Sequence, residues 1–276
     1  MTEEEWLEST DLSPMFHGLL RCEISRVNER KLKLLACHCY RRVWASLMDE
    51  VCREAVIVAE RYADGLADAN HLADAKLAVM RAFETAVEKV MADRAFSTSM
   101  PSHSKYFLTG SQSHLSRAFY AAIDLCTVEA SFTPFVPSPP YMPPEAYRSI
   151  AAVSAAKCAA TEAAALDVGP SESLDIDLEE WARAYKCEQR KQAAFLRDIF
   201  GNPFRPVAFS PEWRTSTAVA IAQQMYESRD FSPMPILADA LEDAGCDNAD
   251  ILEHCRDLKA THARGCWVVD EVLGKQ

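Results

Sequence analysis

Apolar residues recur along most of this chain at the three- and four-residue intervals of an amphipathic helix, and the recurrence breaks at prolines, glycines and short polar runs. Leu32, Leu35, Cys39, Val43 and Leu47 form the clearest early stripe. They predict a helix over 28–47, with Lys31, Lys33, Arg41 and Arg42 on its other faces. Val51, Ala55, Val58, Ala59 and Tyr62 form the stripe of a helix that Asp49 caps and Gly65 ends. The pair reads as an antiparallel hairpin. Upstream, Thr2 followed by Glu5 has the form of a capping box, so an acidic helix opens the chain over about 3–9. A second short helix is expected over 15–22. Downstream, Leu72, Leu77, Met80, Phe83, Val87 and Val90 mark a long helix over 70–95.

Further helices are expected over 114–130 and 145–166. Between them SFTPFVPSPPYMPP holds six prolines in fourteen residues. It excludes helix and central strand, and reads as a polyproline connector or a strap over the core. A helix over 178–200 ends at Gly201. Asn202-Pro203 and Arg205-Pro206 then force an extended turn ringed by Phe200, Phe204, Phe209 and Trp213. A helix follows from Ser216 or Thr217 to 229. A hairpin comes next, with Pro235 opening 236–244, Gly245 closing it, and Asp247 or Asn248 capping 249–257. The final CWVVDEVLG fits a short strand or a helix ended by Gly274, and helix is favoured because no partner strand is visible. The expected fold class is therefore all-α, an irregular multi-helix bundle of about ten or eleven helices with a Pro-rich connector in the middle. Three parts are expected, at 1–96, 97–176 (an insertion or lid) and 177–276, or else one compact domain.

Composition agrees with this. Of 276 residues, 49% are hydrophobic and only eight are glycine. The net charge of −12 argues against direct nucleic-acid binding. The ten cysteines are scattered among apolar residues, as buried thiols in a reducing cytoplasm would be. The acidic N-terminus is not a signal peptide, and no apolar run approaches the ~18 residues of a membrane span.

The segments TEEEWLESTD, RKLKLLACHCYRRVW, AVIVAERYADG, RDIFGNPFRP and HARGCWVVDEVLGK resemble those of a family of uncharacterised bacterial proteins. The hairpin LADALEDAGCDNADILEHCR is similar to that of the bacterial repeat-companion domain, with Ala240 where that pattern has tryptophan. The resemblance covers about residues 2–65 and 193–275. It implies an all-helical, intracellular bacterial protein.

Three constellations could carry chemistry. Cys246, Cys255, His262 and Cys266, with His254 in reserve, are spaced C-x8-C-x6-H-x3-C. Three thiolates and an imidazole would close a tetrahedral zinc site if they converge, although zinc cysteines usually come as C-x2-C pairs. The structural alternative is buried thiols and a surface histidine. Cys266 with His262 four residues before it could also form a nucleophile and base, with no evident oxyanion hole. Arg197, Arg205 and Arg214, with Arg264 near, could hold a carboxylate or phosphate, or could simply tie down the turn. No P-loop, dinucleotide fingerprint, EF-hand, G-x-S-x-G or H-E-x-x-H is present, and no catalytic residue is assigned. The expectation is a non-enzymatic helical protein acting through contacts with a protein partner. The alternative is a zinc-binding or thiol-dependent protein using the C-terminal Cys and His residues.

Overall fold

The structure is a computed structural model, and it describes residues 1–21, 29–42, 44, 50–95 and 178–275. Among these there are ten α-helices and no strand. They are α1 (Glu3–Glu8), α2 (Leu12–Arg21), α3 (Glu29–Arg42), α4 (Glu50–Ala63), α5 (Ala69–Ala95), α6 (Leu178–Phe200), α7 (Ser216–Ser228), α8 (Met234–Asp243), α9 (Ala249–Arg256) and α10 (Trp267–Leu273). The all-α class expected from the periodicity is the class observed. The Pro-rich stretch at 131–144, the helices expected over 114–130 and 145–166, and the Asp49 cap lie outside the described residues.

Local chemistry sets the helix ends. The Thr2 hydroxyl accepts the Glu5 N–H, and the Glu5 carboxylate accepts the Thr2 N–H at 2.7 Å, so the capping box is formed. α2 begins at Leu12, three residues before the expected start at Met15, because Pro14 falls in the first turn, where its missing N–H costs nothing. Asn248 caps α9 through the Ile251 N–H. Gly201, Gly245 and Gly274 follow helices with positive φ. A 3-10 turn at Pro211–Trp213, which the sequence pattern did not indicate, shapes the segment after the Asn202-Pro203 turn.

The chain forms two compact units, Met1–His38 with Lys186–Gln276, and Cys39–Tyr185. In the first, α7 packs on α8 and α10, and α9 packs on α8 and α10. Met225, Leu237, Leu241, Ile251, Val268 and Val272 are at the centre of that core. Arg197 ties α6 to the N-terminal segment by donating to the carbonyls of Trp6 and Ser9. Lys31 donates to the Ile199 carbonyl at 2.9 Å, a cation placed where the end of α6 exposes acceptors. Lys31 and Lys33 are buried, so α3 is a more enclosed helix than its stripe implied. In the second unit α4 packs on α5, and Arg41 holds Glu60 with two bonds of 2.6 and 2.8 Å.

Candidate metal centre

Four side chains from four segments of the first unit converge. Asp198 lies in the last turn of α6, between the buried Leu196 and Ile199. His254 lies in the last turn of α9. His262 belongs to the loop that joins α9 to α10, and Cys266 is the residue that precedes α10. The loop is shaped by Gly265 at φ +98°, where a Cβ would come within 3.0 Å of Leu34 Cδ1. Only glycine fits that combination of backbone angle and close approach. It delivers Cys266 to the group while keeping the Cys266 N–H bonded to the Ala263 carbonyl at 2.9 Å.

The ligand atoms lie within 4.8 Å of one another. His262 Nδ1 is 2.8 Å and His254 Nε2 is 3.3 Å from Asp198 Oδ1. Cys266 Sγ is 3.2 Å from His254 Nε2 and 4.0 Å from His262 Nδ1. A tetrahedral ion bonded at ~2.0–2.3 Å spaces its ligands ~3.3–3.8 Å apart, so small side-chain movements would bring these four atoms onto one ion. The second oxygen of Asp198 accepts the Ala263 N–H at 2.8 Å, which fixes the carboxylate plane. The group could hold a metal ion.

The way the atoms face distinguishes this from a proton relay. In a Cys–His–Asp relay the imidazole presents one nitrogen to the thiol and the other to the carboxylate. Here His254 turns the same Nε2 to Asp198 and to Cys266, and His262 turns the same Nδ1 to both. One nitrogen of each ring is thus shared between the carboxylate and the thiol, and the four ligand atoms lie within 4.8 Å of one another.

Electrostatics agree. Burial alone would push the Asp198 carboxyl up, but hydrogen bonds and charge from His254 and His262 outweigh it and bring the carboxyl down to about 2. Burial, then the Asp198 charge, hold the Cys266 thiol well above its ordinary range. The Cys255 thiol is pushed up to about 12, first by burial and then by Asp198. A protonated, fully buried Cys266 is a poor nucleophile. A cation at the centre would remove the penalty and displace its proton.

Of the zinc set expected from the sequence, His262 and Cys266 belong to the convergent group, and Cys246 and Cys255 are not members of it. Cys255 follows His254 on α9, and neighbours on a helix point ~100° apart, so only one of them can face the centre. Cys246 is buried in the core of α7, α8 and α10. His262 and Cys266 do not share a helix, so the one-face spacing argued for a nucleophile and base does not apply. The arginines are separately engaged. Arg197 holds backbone carbonyls, Arg205 pairs with Asp250 at 2.9 Å, and Arg214 donates to the Glu271 carbonyl over the Phe209 ring. Arg264 lies over Tyr226. Asp198 was not among the sequence candidates. Its one signal is an acid in the last turn of a helix, where the dipole disfavours negative charge. Compared with known proteins, the chain matches no family model, no curated protein and no solved structure.

Proposed function

We propose that this is a zinc-binding helical protein whose ion sits between Asp198, His254, His262 and Cys266 and has a structural role. The convergence of one atom from each side chain on a common centre carries the reading. Two imidazoles, one thiolate and one carboxylate suit zinc, and four protein ligands close a tetrahedron with no position left for substrate. The Ala263 N–H on Asp198 Oδ2 is the outer support that orients a ligating carboxylate. Such an ion ties the end of α6 to α9, to the loop after it and to the start of α10. It contributes folding energy, which leaves the protein to act through contacts with a partner protein. A reducing cytoplasm suits it, because Cys266 must stay a thiol to become a ligand.

Native mass spectrometry of protein purified without chelator tests the reading. The expected result is one zinc per chain, lost on denaturation, and absent from folded Asp198→Asn and Cys266→Ser variants. Folded wild-type protein that keeps its metal-free mass in buffered zinc would refute it.

A further inference from the structure

The α8–α9 hairpin carries apolar surface at one end and negative charge along its outer face. The start of α8 and the end of α9 lie side by side, and a cleft of about 340 Å³ opens there. Phe231, Met234, Pro235 and Leu258 give the cleft an apolar lining, and Arg229 and Asp257 put one charge of each sign in its wall. Leu258 is 85% exposed, and Ile236, next to Pro235, is 60% exposed. Two large exposed hydrophobics thus flank one concavity, where singly scattered ones would carry no meaning. A balanced, largely apolar cleft of this size suits an apolar side chain better than an ion.

The charge lies beside the cleft. From Met234 to Asp257 the hairpin holds seven acids and a single arginine, with no lysine. Ile236, Asp239 and Asp243 recur at three- and four-residue intervals and are exposed, so they share the outer face of α8. Glu253, Arg256 and Asp257 are spaced and exposed in the same way on α9. Arg256 reaches across to Asp239 and Glu242, which joins the two strips into one face. Asp243, Glu253 and Asp257 have no ion pair among the described residues, so five carboxylates meet one guanidinium on this face. Such a face repels nucleic acid and anionic lipid. It also repels itself, which disfavours a second copy of this chain. What complements it is a segment that carries apolar and cationic side chains together, as a basic amphipathic helix does.

We infer that the open end of the α8–α9 hairpin docks a basic amphipathic segment of a partner protein, which places an apolar side chain in the cleft and lysines or arginines against Asp239, Glu253 and Asp257. The inference rests on the reading of this chain as one that acts through a partner, and it names that partner's chemistry. The peptide acetyl-KLLKKLLK-amide is the probe, and acetyl-ELLEELLE-amide is its control. Zinc uptake by the full chain is read first, by native mass spectrometry, and peptide binding is then followed in ¹H–¹⁵N amide spectra. The basic peptide moves the resonances of Ile236, Asp257, Leu258 and Thr261, and the acidic one moves none of them. Leu258→Ser with Ile236→Ser weakens binding about tenfold, the loss of two apolar contacts. Glu253→Gln with Asp257→Asn weakens it about fivefold and makes what remains less sensitive to salt. All four positions are exposed, so both double variants keep the fold. No binding, shifts that fall elsewhere, equal binding of the acidic peptide, or binding that both double variants leave unchanged overturns the inference and leaves the zinc reading standing. Hairpin resonances that move on dilution of the protein alone would make a second copy the occupant and overturn it likewise. A chain that takes up no zinc yet binds the basic peptide at the hairpin, with the loss in both double variants, sinks the zinc reading and supports the docking surface.

Discussion

Asp270 and Asp198 are both buried in the Met1–His38 and Lys186–Gln276 unit, and they are neutralised in different ways. Asp270 meets Arg30 in a two-pronged pair of 2.7 and 3.0 Å, and the same guanidinium donates to the Tyr226 hydroxyl at 2.9 Å. A guanidinium keeps its charge at every pH a protein experiences, so this pair is complete as it stands. Asp198 meets two imidazoles, which are positive only when protonated, and a neutral thiol. The first arrangement is a fixed fastening. The second is a group that could hold a metal ion. A buried acid beside arginine thus reads as structure, and a buried acid beside groups that titrate or coordinate reads as a site.

The contrast can be broken most forcefully at the fixed pair. Asp270→Ala leaves Arg30 buried without its counter-charge and should cost about 3–5 kcal/mol in urea unfolding, with or without zinc. A loss under ~1 kcal/mol would mean that water reaches the pair. At the exchangeable site, zinc at a hundred times its dissociation constant should add about 2.7 kcal/mol to wild-type stability. Asp198→Asn should abolish that gain, which thermal unfolding in buffered zinc would show.

Acid sharpens the same contrast. The Asp198 carboxyl, near 3.8 when unfolded, is lowered to about 2 in the fold. Its contribution is therefore present above about pH 4 and is lost as the pH falls toward 2, on the order of 2 kcal/mol in the zinc-free protein. Asp198→Asn should flatten that part of the stability curve, and an unchanged acid limb would contradict the assignment. The smallest effect belongs to an exposed pair. Arg205, 57% exposed, meets Asp250 at 2.9 Å, and Arg205→Ala should cost less than about 1 kcal/mol and diminish further in high salt.

The helices were legible because their signals are local. The Thr2 and Glu5 box, the Asn248 cap, the glycines after α6, α8 and α10, and the stripe of α4 each act within a few residues. The centre was legible only where its ligands are close in sequence, at His262 and Cys266, with His254 held in reserve. Asp198 comes from 64 residues before His262 and meets it only because α6 packs where the α9–α10 loop folds back. The choice of His254 over Cys255 depends on how α9 is rotated, and periodicity fixes that only when the packed face is known. The burial of Lys31 was hidden for a similar reason, since its partner is a backbone carbonyl at the distant end of α6.

X-ray absorption at the zinc edge of the purified, loaded protein tests the central claim most directly, because it counts sulfur neighbours. A centre of Asp198, His254, His262 and Cys266 gives one sulfur at ~2.3 Å and three nitrogen or oxygen neighbours at ~2.0 Å, with the sulfur lost in Cys266→Ser. Two or three sulfurs, which would bring in Cys255 or Cys246, or none at all, would contradict it.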